Sequence, residues 1–183
     1  PIQLMWTREH EMQNSYPMQM SQHRVQIGLD EKKYPEFWHH RIAASHSAAH
    51  RDEFFQRWIK SEDWGTRPAE PNCGDGFPPL YKVGKFDFQL KFEDLGIPSY
   101  NLRTTGSTQN CFVTESAVDE LAHFAGADPL NYRLNLLSGN ERCSKILEDL
   151  SRQSSWTSRL DDGFGRGVAI YEFMVKNFWW ENT

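Results

Sequence analysis

The hydrophobic period of this 183-residue chain changes near residue 107, and that change most constrains its fold. In residues 23–29 (HRVQIGL), apolar side chains alternate with polar ones, which is the period of a half-buried strand. Beyond residue 107, apolar side chains recur every three or four positions, which is the period of an amphipathic helix. Strands that precede helices predict the α+β class. We therefore expect mixed or antiparallel strands, a three-helix segment and a returning strand.

Turn chemistry separates the predicted strands of the first half. Residues 2–6 (IQLMW) predict a short, mostly buried strand. The polar residues 30–33 (DEKK) predict a turn between the strand at 23–29 and a hairpin partner at 34–43. Pro35 indicates an edge or a bulge at the start of that partner, because proline donates no ladder hydrogen bond.

The remaining strands are predicted around two glycine-containing segments. Residues 80–92 have period-two character and predict one or two strands, with Gly84 at a bulge. The segment GFGRG at 163–167 predicts a turn, and Val168 to Val175 predicts the returning strand. Between the hairpin and residue 80, we expect a polar insertion at about 45–79, with a helix at 48–60.

Three helices are predicted in the second half. The first spans about residues 108–125 and ends at Gly126, and the second has Asp128 as N-cap with Pro129 at the first helical position. The apolar stripes of the three helices are, in chain order, Val118, Leu121, Ala122 and Ala125; Leu130, Leu134 and Leu137; and Cys143, Ile146, Leu147 and Leu150. The acidic residues on these helices predict a solvated face: Glu115, Asp119, Glu120, Glu148 and Asp149.

Composition excludes several function classes. A net charge of −5 and a pI near 5.8 argue against a nucleic-acid partner, which needs a concentrated basic face. No apolar run approaches the length that spans a membrane. The three cysteines are far apart and form no C-x-x-C pair, so they predict neither an iron–sulfur cluster nor a zinc ribbon.

The polar loop before the first long helix is the strongest candidate site. Arg103 supplies a guanidinium, and Gly106 permits a tight backbone path near a ligand. Ser107 or Thr108 can cap the helix, whose first N–H groups and dipole then favour an anion such as a phosphate or a metal-oxo group. The alternative is an ordinary capped helix start beside a surface arginine.

Four histidines offer a second candidate. His39, His40, His46 and His50 are close in sequence, and His46 and His50 have i,i+4 spacing. A metal site requires ligands that converge on one point, and the sequence contains no H-E-x-x-H motif. Surface or half-buried histidines are the alternative.

Several segments together resemble a known family. The long segment at 96–137, GIPSYNLRTTGSTQNCFVTESAVDELAHFAGADPLNYRLNLL, is similar to the molybdopterin-binding large subunit of the xanthine dehydrogenase/aldehyde oxidase superfamily, of the isoquinoline 1-oxidoreductase β-subunit type. LMWTREHEM at 4–12, HRIA at 40–43 and GRGVA at 165–169 resemble further landmarks of that family, in family order. The resemblance covers most of the chain.

The resemblance implies a molybdenum hydroxylase, which hydroxylates aldehydes or N-heterocycles with water as the oxygen source. It implies a molybdenum–molybdopterin cofactor in the cytosine dinucleotide form, and an iron–sulfur small subunit that carries a [2Fe–2S] cluster. The residues that match the family's cofactor loop are Arg103, Thr104, Thr105, Gly106, Ser107 and Gln109. Nothing in the chain matches the family's G-x-G-E segment, so we expect the catalytic glutamate in the remainder of the large subunit.

We therefore expect this chain to be part of a larger molybdenum-binding domain. Residues 1–100 would form its strand-rich part, and residues 101–183 would hold the cofactor loop, the helices and the returning strand. By itself the chain should neither complete the cofactor site nor turn over substrate. Two other hypotheses remain open: a non-catalytic scaffold or interaction domain derived from the same fold, and a histidine-based metal-binding module.

Overall fold

In the part of the chain that the structure describes, a three-stranded mixed sheet and four α-helices form an α+β arrangement, as predicted. The computed structural model describes residues 2–45, 71–93, 95–97, 99 and 104–172. The strands are β1 (Ser21–Leu29), β2 (Pro35–Ser45) and β3 (Lys85–Glu93), in the spatial order β1-β2-β3. The helices are α1 (Arg8–Asn14), α2 (Ser107–Ala125), α3 (Pro129–Leu136) and α4 (Glu141–Gln153).

The predicted hairpin is confirmed. β1 and β2 pair in antiparallel fashion, and the turn between them is held by the Tyr34 N–H, which donates to Asp30 Oδ1 at 2.8 Å. The register shifts between Gly28 and Leu29, where Leu29 faces Pro35. The irregularity that Pro35 predicted is therefore present at the start of β2, because the ring removes one donor from the ladder.

β3 pairs in parallel with β2, and this requires the chain to cross over between Ser45 and Lys85. The prediction of a bulge at Gly84 is wrong, because Gly84 lies directly before β3. A Cβ at this position would lie 2.4 Å from the backbone oxygen of Glu36, so the close approach of two backbones requires glycine. The predicted helix at 48–60 lies outside the described residues.

The N-terminal segment contradicts its predicted strand. Residues 2–6 are exposed and belong to no strand, and Ile2 is 99% exposed. The helix α1 follows, with Thr7 as its N-cap: the His10 N–H donates to Thr7 Oγ1 at 3.3 Å. A short apolar run does not distinguish a buried strand from an exposed segment, whereas a threonine cap has a local physical cause.

The three predicted helices of the second half are confirmed. α2 ends at Gly126, which adopts the left-handed conformation with φ of 67°. α3 begins with Pro129 after the N-cap Asp128, whose Oδ1 accepts from the Asn131 N–H at 2.9 Å. These caps satisfy backbone groups that the helix ends would otherwise leave unpaired.

Only half of the predicted stripe on α4 is buried. Cys143 and Leu147 are 2% and 1% exposed, whereas Ile146 and Leu150 are 51% and 42% exposed. Two of the four apolar side chains therefore face away from the core that the described residues form.

The described part of the predicted returning strand does not form a strand. Residues 168–172 belong to no strand, and residues 173–175 lie outside the described residues. Val168 and Ile170 are nevertheless buried against the helices. Because the Ile170 N–H donates to Glu115 Oε2 at 3.2 Å, this segment bonds to a helix side chain instead of a strand. A turn lies at 161–164, where the Phe164 N–H donates to Asp161 O at 3.2 Å, so it overlaps only the start of the turn predicted at 163–167.

The main core lies between the sheet and the helices. Its most deeply buried apolar members come from β2, from α2 to α4 and from the residue that follows α3: Trp38, Val118, Ala122, Leu130, Leu137 and Leu147. A second, smaller cluster is formed by Ile42, Ala44 and Cys73, on which Phe77 and Phe88 pack. In the described part of the chain, no helix has the length and apolar character needed to cross a membrane.

Candidate functional site

The backbone before α2 turns sharply, but glycine is not the residue that makes the turn. Thr104 and Thr105 adopt positive φ values of 76° and 48°, which β-branched residues rarely take. Gly106 is helical, with φ of −65°, and is the N-cap of α2 without a side-chain cap. The prediction that Ser107 or Thr108 caps the helix is therefore wrong, and the positive φ values of this turn belong to the two threonines before Gly106.

The first turn of α2 retains hydrogen-bond donors. The N–H of Ser107 donates to Thr104 O, and the N–H of Asn110 donates to Gly106 O, both at 3.0 Å. Among the described residues, no acceptor is present for the N–H groups of Thr108 and Gln109. Two N–H donors and the positive end of a 19-residue helix favour a negatively charged group at this point.

The side chains of the predicted cofactor residues are largely engaged within the protein. Ser107 is 1% exposed and its Oγ accepts from the Tyr171 hydroxyl at 2.6 Å. Gln109 Nε2 donates to the backbone oxygen of Gln19. The hydroxyls of Thr104 and Thr108 bond to each other. The sixth predicted residue, Arg103, lies outside the described residues.

A carboxyl group lies beside the same turn. The Thr105 hydroxyl donates to Asp75 Oδ2, and burial raises the pKa of Asp75 although this hydrogen bond opposes the rise. An ionised Asp75 would repel an anion at the start of α2.

Asn110 is a site residue that the sequence did not reveal. Its side chain is buried, and Nδ2 donates to Cys73 O and to Asp75 O, both at 2.8 Å. These two bonds join the 3₁₀ turn Pro71–Gly74 and the residue after it to the first turn of α2. No sequence pattern could have identified Asn110, since its hydrogen-bond partners are separated from it by 35 residues or more.

A small cleft of about 10 Å³, with room for about one water molecule, lies beside this turn. It is lined by Gly76, Tyr81, Cys111, Thr114 and Tyr171, among others. The buried Thr114 Oγ1 has no hydrogen-bond partner among the described residues. Burial raises the pKa of the Cys111 thiol, with Glu115 adding to the rise, so this thiol is a poor nucleophile at neutral pH.

Glu115 corrects the prediction of a solvated acidic face. It is 6% exposed, and its Oε2 accepts from Arg133 Nε at 2.9 Å. The Tyr81 hydroxyl donates to Oε1 at 2.7 Å, and burial together with Glu115 raises the pKa of Tyr81. Arg133 also donates to Asp119 Oδ1 at 2.6 Å. The group is a buried ion pair that ties α2 to α3.

Within the described part of the chain, the predicted metal ligands His39 and His40 do not converge on one point. His39 Nδ1 lies 2.8 Å from Asp87 Oδ2, whereas its neighbour His40 faces the other side of β2 and lies 2.9 Å from His23, measured Nε2 to Nδ1. Burial lowers the pKa of both His23 and His40, that of His40 to about 4. No group of three metal-ligating residues occurs among the described residues, and His46 and His50 lie outside them.

Comparison with known proteins shows that the chain is a distant relative of an oxidoreductase subunit. That relative is the isoquinoline 1-oxidoreductase subunit beta of Brevundimonas diminuta, to which the chain is 24% identical over 169 residues. The match covers 92% of this chain and 21% of the relative, so the chain spans about a fifth of that protein's length. No family model matches the chain. The relation to an oxidoreductase subunit agrees with the sequence resemblance in this coarser form.

Proposed function

We propose that this chain is part of a molybdenum hydroxylase and contributes one wall of its molybdenum-cofactor site. The observation that carries the proposal is the likeness to an isoquinoline 1-oxidoreductase subunit along 92% of the chain. The wall consists of the cofactor-loop residues, here Arg103, Thr104, Thr105, Gly106, Ser107 and Gln109. The remainder of the large subunit would supply the catalytic glutamate, and a separate small subunit would supply the [2Fe–2S] cluster.

The donor set at the start of α2 fits an anionic group. The N-cap Gly106 has no side chain that competes for the first-turn N–H groups, and those of Thr108 and Gln109 meet no acceptor within the described residues. Pterin phosphates and metal-bound oxygens both carry negative charge, which such donors stabilise. Arg103, immediately before the turn, would add a full positive charge.

When bound, the molybdenum–molybdopterin group, proposed in its cytosine dinucleotide form, would supply the hydroxylation chemistry for an aldehyde or an N-heterocycle. The residues of this chain would have a binding and orienting role. The backbone of Thr108 and Gln109 would hold anionic oxygens, and the hydroxyls of Thr104 and Thr105 lie at the same turn. No residue of the described chain is assigned as the catalytic base.

One observation favours a second candidate, a non-catalytic scaffold derived from the same fold. The side chains of Thr105, Ser107 and Gln109 already bond to Asp75, Tyr171 and Gln19 O, respectively. A turn whose described side chains are already bonded within the protein offers a ligand mainly its backbone N–H groups. A scaffold would retain such an internally hydrogen-bonded turn because the turn connects neighbouring segments of the fold.

Metal and nucleotide content of the full-length protein, purified with its partner subunits, distinguishes the two. We expect about one molybdenum atom and one cytosine nucleotide per large subunit, measured by mass spectrometry of the metal and of the acid-released nucleotide. If protein purified from molybdate-grown cells contains neither molybdenum nor cytosine nucleotide, that result would support the scaffold instead.

A matched pair of arginine variants then tests the assigned wall. Arg103→Ala should reduce molybdenum content several-fold, because it removes the positive charge that immediately precedes the turn in the sequence. Arg142→Ala is the control, because the side chain of Arg142 is 81% exposed on α4. Equal molybdenum content and equal turnover in the two variants would remove Arg103 from the site.

A further inference from the structure

We infer that Asn110 is a positioning residue that braces the turn at 104–106 against the turn at 71–76. The inference rests on the proposed function, since it concerns the same wall of the cofactor site. It assigns a role to Asn110, and to Asp75 as its partner, whereas neither belongs to the predicted cofactor loop.

The first tether is the side chain of Asn110 itself. Asn110 is 1% exposed, and its Nδ2 donates one hydrogen bond to Cys73 O and another to Asp75 O. Two carbonyls of one turn thus bond to one amide on α2. Because the side chain is fully buried, water is a poor substitute for either bond.

Two further tethers connect the same pair of turns. Asp75 accepts from the Thr105 hydroxyl, so the 71–76 turn also bonds directly to the 104–106 turn. Gly76, with φ of 94°, lies against the ring of Tyr171: a Cβ built there would be 3.1 Å from the ring. The hydroxyl of that tyrosine donates to Ser107 Oγ at 2.6 Å.

The turn at 104–106 needs such support. Two consecutive threonines with positive φ are strained, and strain of this kind persists only where surrounding contacts hold it. The same backbone sets the direction of the Thr108 and Gln109 N–H groups. We therefore expect the brace to fix the direction of the donors that the proposed cofactor site uses, without any contact between Asn110 and the cofactor.

Hydrogen exchange of the full-length protein tests the brace without reference to any cofactor. In Asn110→Ala, the peptide that contains the amides of positions 107 and 110 should exchange about tenfold faster, because two buried hydrogen bonds are lost. Peptides of the β1–β2 hairpin should keep their rates. Asn135→Ala is the matched control, since Asn135 is an exposed helical asparagine on α3.

A second pair of variants, at Asp75, keeps the brace testable if Asn110→Ala does not fold. Asp75→Asn keeps an oxygen that accepts from Thr105, so its exchange at 104–110 should stay at the wild-type rate. Asp75→Ala removes the acceptor and should accelerate exchange in the same peptide. Identical exchange in Asp75→Ala, Asn110→Ala and wild type would overturn the inference, as would equal acceleration in Asp75→Asn and Asp75→Ala.

Molybdenum content measured on the same samples separates the two proposals. Faster exchange at 104–110 with reduced molybdenum supports both the brace and the cofactor wall. Faster exchange in a protein whose wild type holds no molybdenum supports the brace and refutes the cofactor wall. Wild-type exchange together with full molybdenum content supports the wall and refutes the brace.

Discussion

The buried pair of Arg133 and Glu115 gives the sharpest prediction for stability. Arg133 is fully buried and donates to the Glu115 side chain at 2.9 Å and to the Glu115 backbone oxygen at 3.1 Å. Arg133→Met removes the guanidinium but keeps much of the apolar volume. The Glu115 carboxylate then remains buried, with only the Tyr81 hydroxyl and the Ile170 N–H as donors.

The magnitude follows from what remains after the substitution. Removal of one partner from a buried ion pair costs about 3–5 kcal/mol, because the other charge is left uncompensated. Two remaining donors on Glu115 place the expected loss at the lower end, about 3 kcal/mol. The contact with Asp119 adds little, well under about 1 kcal/mol, because that side chain is 48% exposed.

Urea unfolding of the chain, followed by circular dichroism, measures this loss. With an m-value of about 2 kcal/mol/M, the midpoint should fall by roughly 1.5 M in Arg133→Met. Asp119→Asn is the control and should shift the midpoint by less than about 0.5 M.

The double variant Glu115→Gln/Arg133→Met should be more stable than Arg133→Met alone, because glutamine still accepts from Tyr81 and carries no charge. A loss below about 1 kcal/mol in Arg133→Met, or no recovery in the double variant, would refute the assignment of a buried, uncompensated charge.

Three further predictions concern pH, close packing and a helix cap. His40 has its pKa lowered to about 4 by burial, so between pH 6.5 and 4 the unfolded chain binds a proton that the folded chain does not; stability should fall by about 2 kcal/mol from pH 7 to pH 5, and His40→Phe should remove most of this fall in urea midpoints. Gly84→Ala should lower stability by roughly 2 kcal/mol or more in the same assay, because the new Cβ meets the backbone of Glu36, whereas Gly165→Ala, with no atom within 4 Å, should change it by less than about 0.5 kcal/mol. Asp128→Ala should cost about 1–2 kcal/mol in thermal unfolding, because it removes both the α3 N-cap and the acceptor of the Trp156 Nε1–H, and Asp128→Asn, which keeps the capping oxygen, should cost clearly less.

Elements with a local physical cause were predictable from the sequence. The β1–β2 hairpin follows from alternation and from the polar turn at 30–33, and α3 follows from Asp128 and Pro129. Each of these signals lies within a few residues of the structure that it produces. The same is true of the end of α2 at Gly126, where only glycine takes φ of 67° without strain.

Features that depend on distant partners were not predictable. Glu115 looked solvated because its buried partner, Arg133, lies on the next helix. Segment 168–172 looked like a strand because Val168 and Ile170 alternate, yet the Ile170 N–H bonds to Glu115. Apolar alternation shows which side chains are buried, but it does not show which backbone group will accept the hydrogen bond.

The candidate site divides along the same line. The start of a helix after a polar loop was predictable, and α2 begins at Ser107. The left-handed backbone of Thr104 and Thr105 was not, because their own propensities oppose it and the contacts of the 71–76 turn outweigh them. The sequence did not identify Asn110 and Asp75 for the same reason. Each is one polar residue among many, and its partner lies 35 positions away in the chain.

The parallel pairing of β2 with β3 has a consequence for how such chains diverge. Because these strands are joined by a crossover at 46–84, the ends of that connection are held by a ladder that runs from Phe37 to Ser45 on β2. The entropic cost of closing a connection rises only with the logarithm of its length, so doubling it costs about 0.6 kcal/mol. On this entropic ground, we expect a change in the length of the connection to cost the β2–β3 ladder little. The connection is thus the part of the chain where we expect homologous sequences to differ most in length.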